Sequence, residues 1–439
     1  MDKKQAKRLL AQLASNGLPP RELGSAKALL DMFSVGLDDW ISRLATTYFR
    51  DFSRDSSHFK LVLAPYGGGK THFLMALGVR ALEEDFGVSY VACVPDRSGS
   101  PVRVDNALGL YAEVIARLRI KDQQDYGISA LLTAVVDKKR HDIEVSGAQD
   151  VDGAFSMYLR QLGRAFPGGT FGEFAQVASE ALRGYWAGDD ELPSTAKAAE
   201  KWLEGRMDAI SPEEYKLLGL RRVTKAQSGM VGRRLLLALA KFMPEAGCHG
   251  LVLLIDEVET LFTAKGKALQ AVLAAMRVLL DQAGSVPDDI PMFCAFAAVP
   301  DVLEGIKKYP ALDQRLSVQG GSFDQKNDFA PQISLDNLVT NHESMLASIG
   351  ERLVDVALVA SDGSLSRETQ VENSRKLAKV ANRQTLDVNS RRLFVKTWAS
   401  LLELQFANGE RTFDEDELLK RYQGDFSQVQ SADQEAFEP

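Results

Sequence analysis

Ala64-Pro65-Tyr66-Gly67-Gly68-Gly69-Lys70-Thr71 follows directly on the apolar run Phe59-Lys60-Leu61-Val62-Leu63 and leads into a helical stretch from His72 to Glu84. A strand, a glycine triplet, Lys-Thr and a helix is the order of a phosphate-binding loop. Each residue type has its reason. Gly67, Gly68 and Gly69 let backbone N–H groups turn inward and approach an anion with no Cβ in the way. The helix that follows points its positive end at the same anion. Lys70 supplies a compact charge for β- and γ-phosphates, and the Thr71 hydroxyl stands where it can ligate Mg²⁺. Ala64 stands where the first glycine of the pattern is usual, and its side chain is small enough to keep the turn. The segment therefore predicts a site for ATP with Mg²⁺, lined by Tyr66, Gly67, Gly68, Gly69, Lys70, Thr71 and His72.

A second run, Gly250-Leu251-Val252-Leu253-Leu254-Ile255-Asp256-Glu257, is continuously apolar until it ends in two carboxylates. Such a run reads as a strand buried on both faces of a parallel sheet. Charges at its carboxyl end lie on the edge where open α/β sheets bind ligands. Asp256 is the expected Mg²⁺ partner of Thr71, and Glu257 the base that polarises an attacking water. A strand ending in a solvated acidic turn would look alike in isolation; the loop upstream decides between them.

The remaining composition excludes more than it identifies. The chain has 439 residues, a formal charge of −8, and cysteines at 93, 248 and 294 in or beside apolar runs without CxxC spacing. That argues against a generally basic nucleic-acid coat, a disulfide frame or a cysteine metal site. No apolar stretch reaches membrane-spanning length and no signal region opens the chain, so a cytoplasmic protein is expected.

Along the chain, residues 2–16 read as an amphipathic helix with Lys3, Lys4, Lys7 and Arg8 on its polar side, ended by Gly17 and Pro19-Pro20. Two further helical segments reach Phe52. A strand over Val88–Val94 and a helix over Asp105–Leu118 come next. From about 120 to 230 helical patterns interrupt the sheet, over Ile128–Val136, Phe155–Leu162, Phe171–Trp186 and Ala196–Met207. Their aromatic residues require a core. Arg221, Arg222, Lys225, Arg233 and Arg234 follow as a basic cluster that fits a solvated face or a nucleic-acid contact. A helix over Leu269–Asp281 and a buried strand over Pro291–Val299 complete the alternation, which implies a mostly parallel sheet covered on both faces. Long helices over Leu338–Leu358 and Arg391–Phe406 suggest a separate helical domain. The acidic last fifteen residues are expected to be mobile. The expected division is a lead-in over 1–52, a core over 53–334, a helical lid over 335–424 and a tail over 425–439.

After the strand ending at Val299, Tyr309-Pro310-Ala311-Leu312-Asp313-Gln314-Arg315-Leu316 resembles the box of AAA+ ATPases that carries an arginine finger. By that resemblance Arg315 would reach the γ-phosphate held by a neighbouring subunit, an effect on the order of 10³–10⁵ in rate where it is best measured. The same arginine also fits a surface ion pair. Asn389-Ser390-Arg391-Arg392 matches the place of the lid arginine called sensor 2, with the choice between Arg391 and Arg392 left open. The polar sensor 1 residue of the class has no obvious counterpart at Ala298-Val299, and Asp301 is the nearest polar candidate.

The fuller wording is more specific. "APYGGGKTHFL", "GVSYVACVP", "GLVLLIDEVETL" and "CAFAAVPDVL…YPALDQRL" resemble the BREX-type ATP-binding proteins, the BrxC and BrxD class of bacterial phage-defence systems, with Glu259 completing Asp256-Glu257-Val258-Glu259. The lead-in "NGLPPRELGS…MFSVG" is similar to the segment before the family's ATPase domain. The resemblance spans most of residues 15–405, little of the 120–230 insertion included, and the chain's size is nearer the smaller BrxD-like members. It implies an AAA+ P-loop fold with a helical lid, antiviral defence, a homo-oligomer, other system components such as a helicase, and DNA contacted directly or through partners. A nucleotide-switch scaffold with little turnover and an initiator- or transposition-type DNA-loading ATPase share the same motif order.

Overall fold

The computed structural model describes residues 1–17, 30, 34–51, 57–93, 106–188, 191–262, 290–316, 323–338, 341–384 and 390–435. α1 (Lys3–Asn16) starts on a capping box between Asp2 and Gln5 and stops at Gly17, whose φ of 68° closes the last turn. α2 (Asp38–Ala45) runs into a wide π turn over Thr46–Asp51. β1 (Ser57–Leu63), α3 (Lys70–Glu83), β2 (Gly87–Ala92), α4 (Ala107–Ala116) and the very short β3 (Leu118–Arg119) follow. The insertion consists of α5 (Gly127–Ser146), α6 (Val151–Ala165), α7 (Gly169–Ala187), α8 (Ser194–Leu203) and α9 (Pro212–Leu217). α10 (Lys225–Phe242) leads back to β4 (Leu251–Asp256), the single turn α11 (Glu259–Phe262) and β5 (Met292–Ala298). Beyond them lie α12 (Val302–Lys307), α13 (Pro310–Leu316), β6 (Gln332–Ser334) and α14 (Leu335–Leu338). The C-terminal bundle is α15 (His342–Ala360), α16 (Arg367–Arg383), α17 (Ser390–Asn408) and α18 (Glu415–Glu435).

The strands lie in the order β3-β2-β4-β5-β1-β6, and every pairing except β2 with β3 is parallel. Parallel strands need cover on both faces, and β4 and β5 are buried at every position. β5 separates β1 from β4, so the loop after Leu63 and the carboxylates after Ile255 reach the same edge across the small Ala297-Ala298 end of β5.

The cores explain the layering. On one face of the sheet Leu61, Leu253 and Phe296 share a core with Leu131, Phe174, Trp202 and Leu235, so the insertion is continuous with the sheet and not an appendage. Gly232 permits the contact of α10 with α4, since a Cβ there would come within 2.2 Å of the Leu108 nitrogen. On the other face Leu44, Phe49, Phe73, Phe293 and Ile333 pack together. A third core joins Leu9, Leu10 and Leu13 of α1 to Leu353, Leu377, Phe394 and Trp398 of the bundle. The lead-in thus divides: α1 packs with the bundle and α2 with the sheet. Leu335 and Leu338 still pack on the sheet, so the bundle begins with α15.

The stretch from residue 425, set apart as a tail on composition, begins inside α18, which continues to Glu435. Asp425 is buried and accepts a 2.9 Å hydrogen bond from the Thr397 hydroxyl, a long-range anchor invisible in local composition. β3 and β6 went unread because two- and three-residue strands leave no periodic pattern. The helix expected over 269–281, Val94, Pro19-Pro20 and much of the lead-in before Ser34 lie outside the described residues. Cys93, Cys248 and Cys294 are buried free thiols. No helix among the described residues is long and apolar enough to cross a membrane.

Candidate nucleotide site

β1 hands over to the glycine loop at Ala64, whose N–H still bonds the Ala298 carbonyl at 3.3 Å. Gly67 and Gly69 take φ values of 69° and 92°, where a side chain is strained. A Cβ on Gly68 would lie 2.7 Å from the Ala64 Cβ, so alanine fits at position 64 because Gly68 has no side chain. Lys70 opens α3 and is buried. Its Nζ donates to the carbonyls of Ala64 (2.9 Å) and Pro65 (3.2 Å) and stands 5.2 Å over the exposed Tyr66 ring. Burial pushes the Lys70 pKa down, with Glu259 foremost among the carboxylates that oppose it.

The second half of the site meets the first through one bond. The Thr71 hydroxyl donates to Asp256 Oδ2 at 2.6 Å. The same oxygen accepts from the Tyr90 hydroxyl at 2.8 Å, and Oδ1 accepts from the Glu257 N–H at 2.9 Å. Glu257 has φ 57°, a conformation costing a non-glycine residue about 1 kcal/mol or more. The turn is held by Thr260, whose N–H and hydroxyl donate to the Glu257 carbonyl at 3.1 and 2.8 Å. Such a turn sends Val258 into the core, its N–H on the Ala297 carbonyl, and buries Glu259 behind it.

The bundle reaches the loop through Arg391. Its Nη1 donates to the Gly68 carbonyl at 2.9 Å, and its buried Nη2 has no hydrogen-bond partner among the described residues. Arg392 turns the other way, its Nε donating to the Asn16 carbonyl at the end of α1 (2.9 Å). His72 is half-buried and turns to the lead-in: its Nε2 lies 2.9 Å from the Ser34 hydroxyl, and desolvation, then the Arg391 charge, push its pKa down to about 4. It is a neutral packing residue behind the loop. Arg315 lies in α13, and its side chain lies outside the described part of the structure. Asp301 is exposed at the start of α12. Sequence reading missed Tyr90 and Glu259 as parts of the site. Tyr90 carried no signal beyond its place in β2, whereas Glu259 stood in the quoted D-E-x-E wording.

The residues present suit a nucleotide and its cation. The loop is open where Cβ atoms would close it, Arg391 keeps beside it a buried N–H group unpaired among the described residues, and the Thr71–Asp256 pair supplies hard oxygen donors of the kind Mg²⁺ takes. Arg221, Arg222, Lys225 and Arg234 are exposed and Arg233 half-buried.

The sequence profile of the family described as "BREX system ATP-binding protein BrxC/D" matches residues 2–416. The chain belongs to that family. It is an ATP-binding protein of a BREX system, with the mainly parallel sheet, helical insertion and C-terminal helical bundle described above. No curated protein sequence matches it. Among solved structures, that of the Aeropyrum pernix ORC2 protein in ADPNP–ADP complexes is similar at 12% identity, over 92% of this chain and 71% of that one, with a TM-score of 0.43. A likeness that distant says nothing of what this chain binds.

Proposed function

We propose that the protein hydrolyses ATP with Mg²⁺ and uses the cycle, as a homo-oligomer in the cytoplasm, to assemble or remodel a DNA-associated anti-phage complex with other components of its system. The observation that carries this reading is the 2.6 Å bond from Thr71 to Asp256, which joins the phosphate loop to the acidic strand end. Mg²⁺ bound by these two residues would neutralise charge on the phosphates. Lys70 and the loop N–H groups hold the phosphates, Arg391 tracks the loop from the bundle, and Glu257 takes a proton from the attacking water. Arg315 completes the site from a neighbouring subunit. DNA is met by the Lys3/Lys4/Lys7/Arg8 face, by the Arg221–Arg234 surface or through partners, since the net charge of −8 leaves any direct contact to a confined patch.

The test is complementation between two inactive proteins. Glu257→Gln and Arg315→Ala should each hydrolyse ATP at least about a hundredfold more slowly than wild type, since each removes one transition-state group. Mixed, they form interfaces pairing an intact Glu257 with an intact Arg315, and part of the activity returns. Wild-type hydrolysis by Glu257→Gln would reduce Glu257 to a strand-end carboxylate. No recovery on mixing would remove the shared site.

A further inference from the structure

Asp256 and Glu259 are both buried at the edge of the sheet, and they are built in opposite ways. Asp256 accepts from Thr71, Tyr90 and the Glu257 N–H. Glu259 is 8% exposed, yet neither carboxylate oxygen has a hydrogen-bond donor among the described residues. Burial pushes the Glu259 pKa up, opposed first by the Lys70 charge and then by its own N–H and that of Val299, neither of which reaches hydrogen-bond geometry. Its counter-charge is Lys70, whose Nζ lies 3.9 Å from Oε1. β5 ends Ala297-Ala298-Val299 with nothing polar of its own, so Glu259 brings the charge found at the end of that strand.

A carboxylate buried without donors is costly, and proteins keep few of them. Lys70 explains why this one stays. An ammonium has three N–H donors, and the Ala64 and Pro65 carbonyls take two. At 3.9 Å Glu259 attracts the ammonium by charge without binding its last donor. Resting on the reading of this edge as a nucleotide site, we propose that Glu259 is a positioning residue that competes with the nucleotide's phosphates for Lys70. A phosphate that takes the third donor must share the ammonium with a negative charge already beside it. The loop's own affinity is thereby held down, which eases release after turnover.

Equilibrium binding of fluorescent ATP to the full-length chain, with Mg²⁺ present, tests this. Glu259→Gln keeps the size of the side chain and removes its charge, and should tighten binding about tenfold. Glu259→Asp keeps the charge and should not tighten it. If the Gln protein fails to fold, Glu259→Ala serves, with tighter binding expected again. Equal or weaker binding by the neutral variants overturns the competition, as does tightening by Asp and Gln alike, which would make the effect one of packing. Failure of the wild-type chain to bind ATP at all would instead sink the nucleotide reading on which the proposal stands.

Discussion

Two buried lysines ten residues apart, Lys60 in β1 and Lys70 at the start of α3, sit in cages of nearly the same design. Lys60 Nζ donates to the carbonyls of Asp328 (2.8 Å) and Ala330 (2.7 Å) and lies 4.6 Å over the Tyr48 ring. Lys70 Nζ donates to the carbonyls of Ala64 and Pro65 and lies over Tyr66. The provenance of the walls differs. The carbonyls of the Lys60 cage come from residues some 270 positions away, where the Tyr48 hydroxyl also holds the Asp328 carbonyl and Arg43 pairs with its carboxylate. The Lys70 cage is made from residues five and six positions upstream, with a bare carboxylate at its side. A lysine caged by remote segments ties the fold together. One caged by its own loop can turn to a ligand without undoing anything distant.

The sharpest break of that comparison is to remove each lysine in turn. Lys70→Ala should weaken ATP binding on the order of a hundredfold or more, the loss of one charged hydrogen-bonding group to phosphate. Stability without nucleotide should fall less than for the Lys60 variant. Lys60→Ala should do the reverse. It takes the donor from the buried Ala330 carbonyl, leaves the Asp328 carbonyl to Tyr48 alone and empties the space of a four-carbon stem, so urea unfolding should show a loss of about 2–3 kcal/mol. The folded fraction should bind ATP as wild type does. If Lys60→Ala damages binding as much as stability, the two cages are one system and the contrast fails.

The same contrast between local and remote explains what could be read in the sequence. The loop from Ala64 to Thr71 and the Asp256-Glu257 strand end were legible because their chemistry is carried by residues adjacent in the chain. The choice between Arg391 and Arg392 was not, because it depends on a bond to Asn16 at the far end of the sequence that turns Arg392 to α1 and Arg391 to the loop. Glu259 was visible as a letter of a motif, but its burial beside Lys70 follows from the left-handed turn at Glu257, which no spacing rule signals. α1 read as a basic amphipathic helix, and Lys3 does pair with Asp362, but only tertiary packing assigns its leucines to the C-terminal bundle.

The smallest effect sharpens the comparison from the side of charge. Burial pushes the Lys60 pKa down to about 7, with Asp328 opposing. In an unfolded chain a lysine titrates near 10.4. Between those values the unfolded chain binds a proton that the folded protein does not, so stability rises with pH from about 7 upward and this contribution is lost as pH falls through 7. A neutral amine still has two N–H groups, enough for the two carbonyls of the cage. Burial also pushes the Cys93 and Cys248 thiols up to about 12, which works the other way once unfolded thiols ionise above about pH 8.5. The clean window is therefore pH 7 to 8.5. Across it urea unfolding should gain about 1.5 kcal/mol, one proton titrating from half occupancy. In Lys60→Met, which keeps the stem and has no proton to lose there, the gain should shrink to whatever the other buried lysine, Lys70, contributes with the same sign. A flat curve in the wild-type chain would mean that the remote cage holds an ammonium after all, and the two lysines would then differ in the origin of their walls but not in charge.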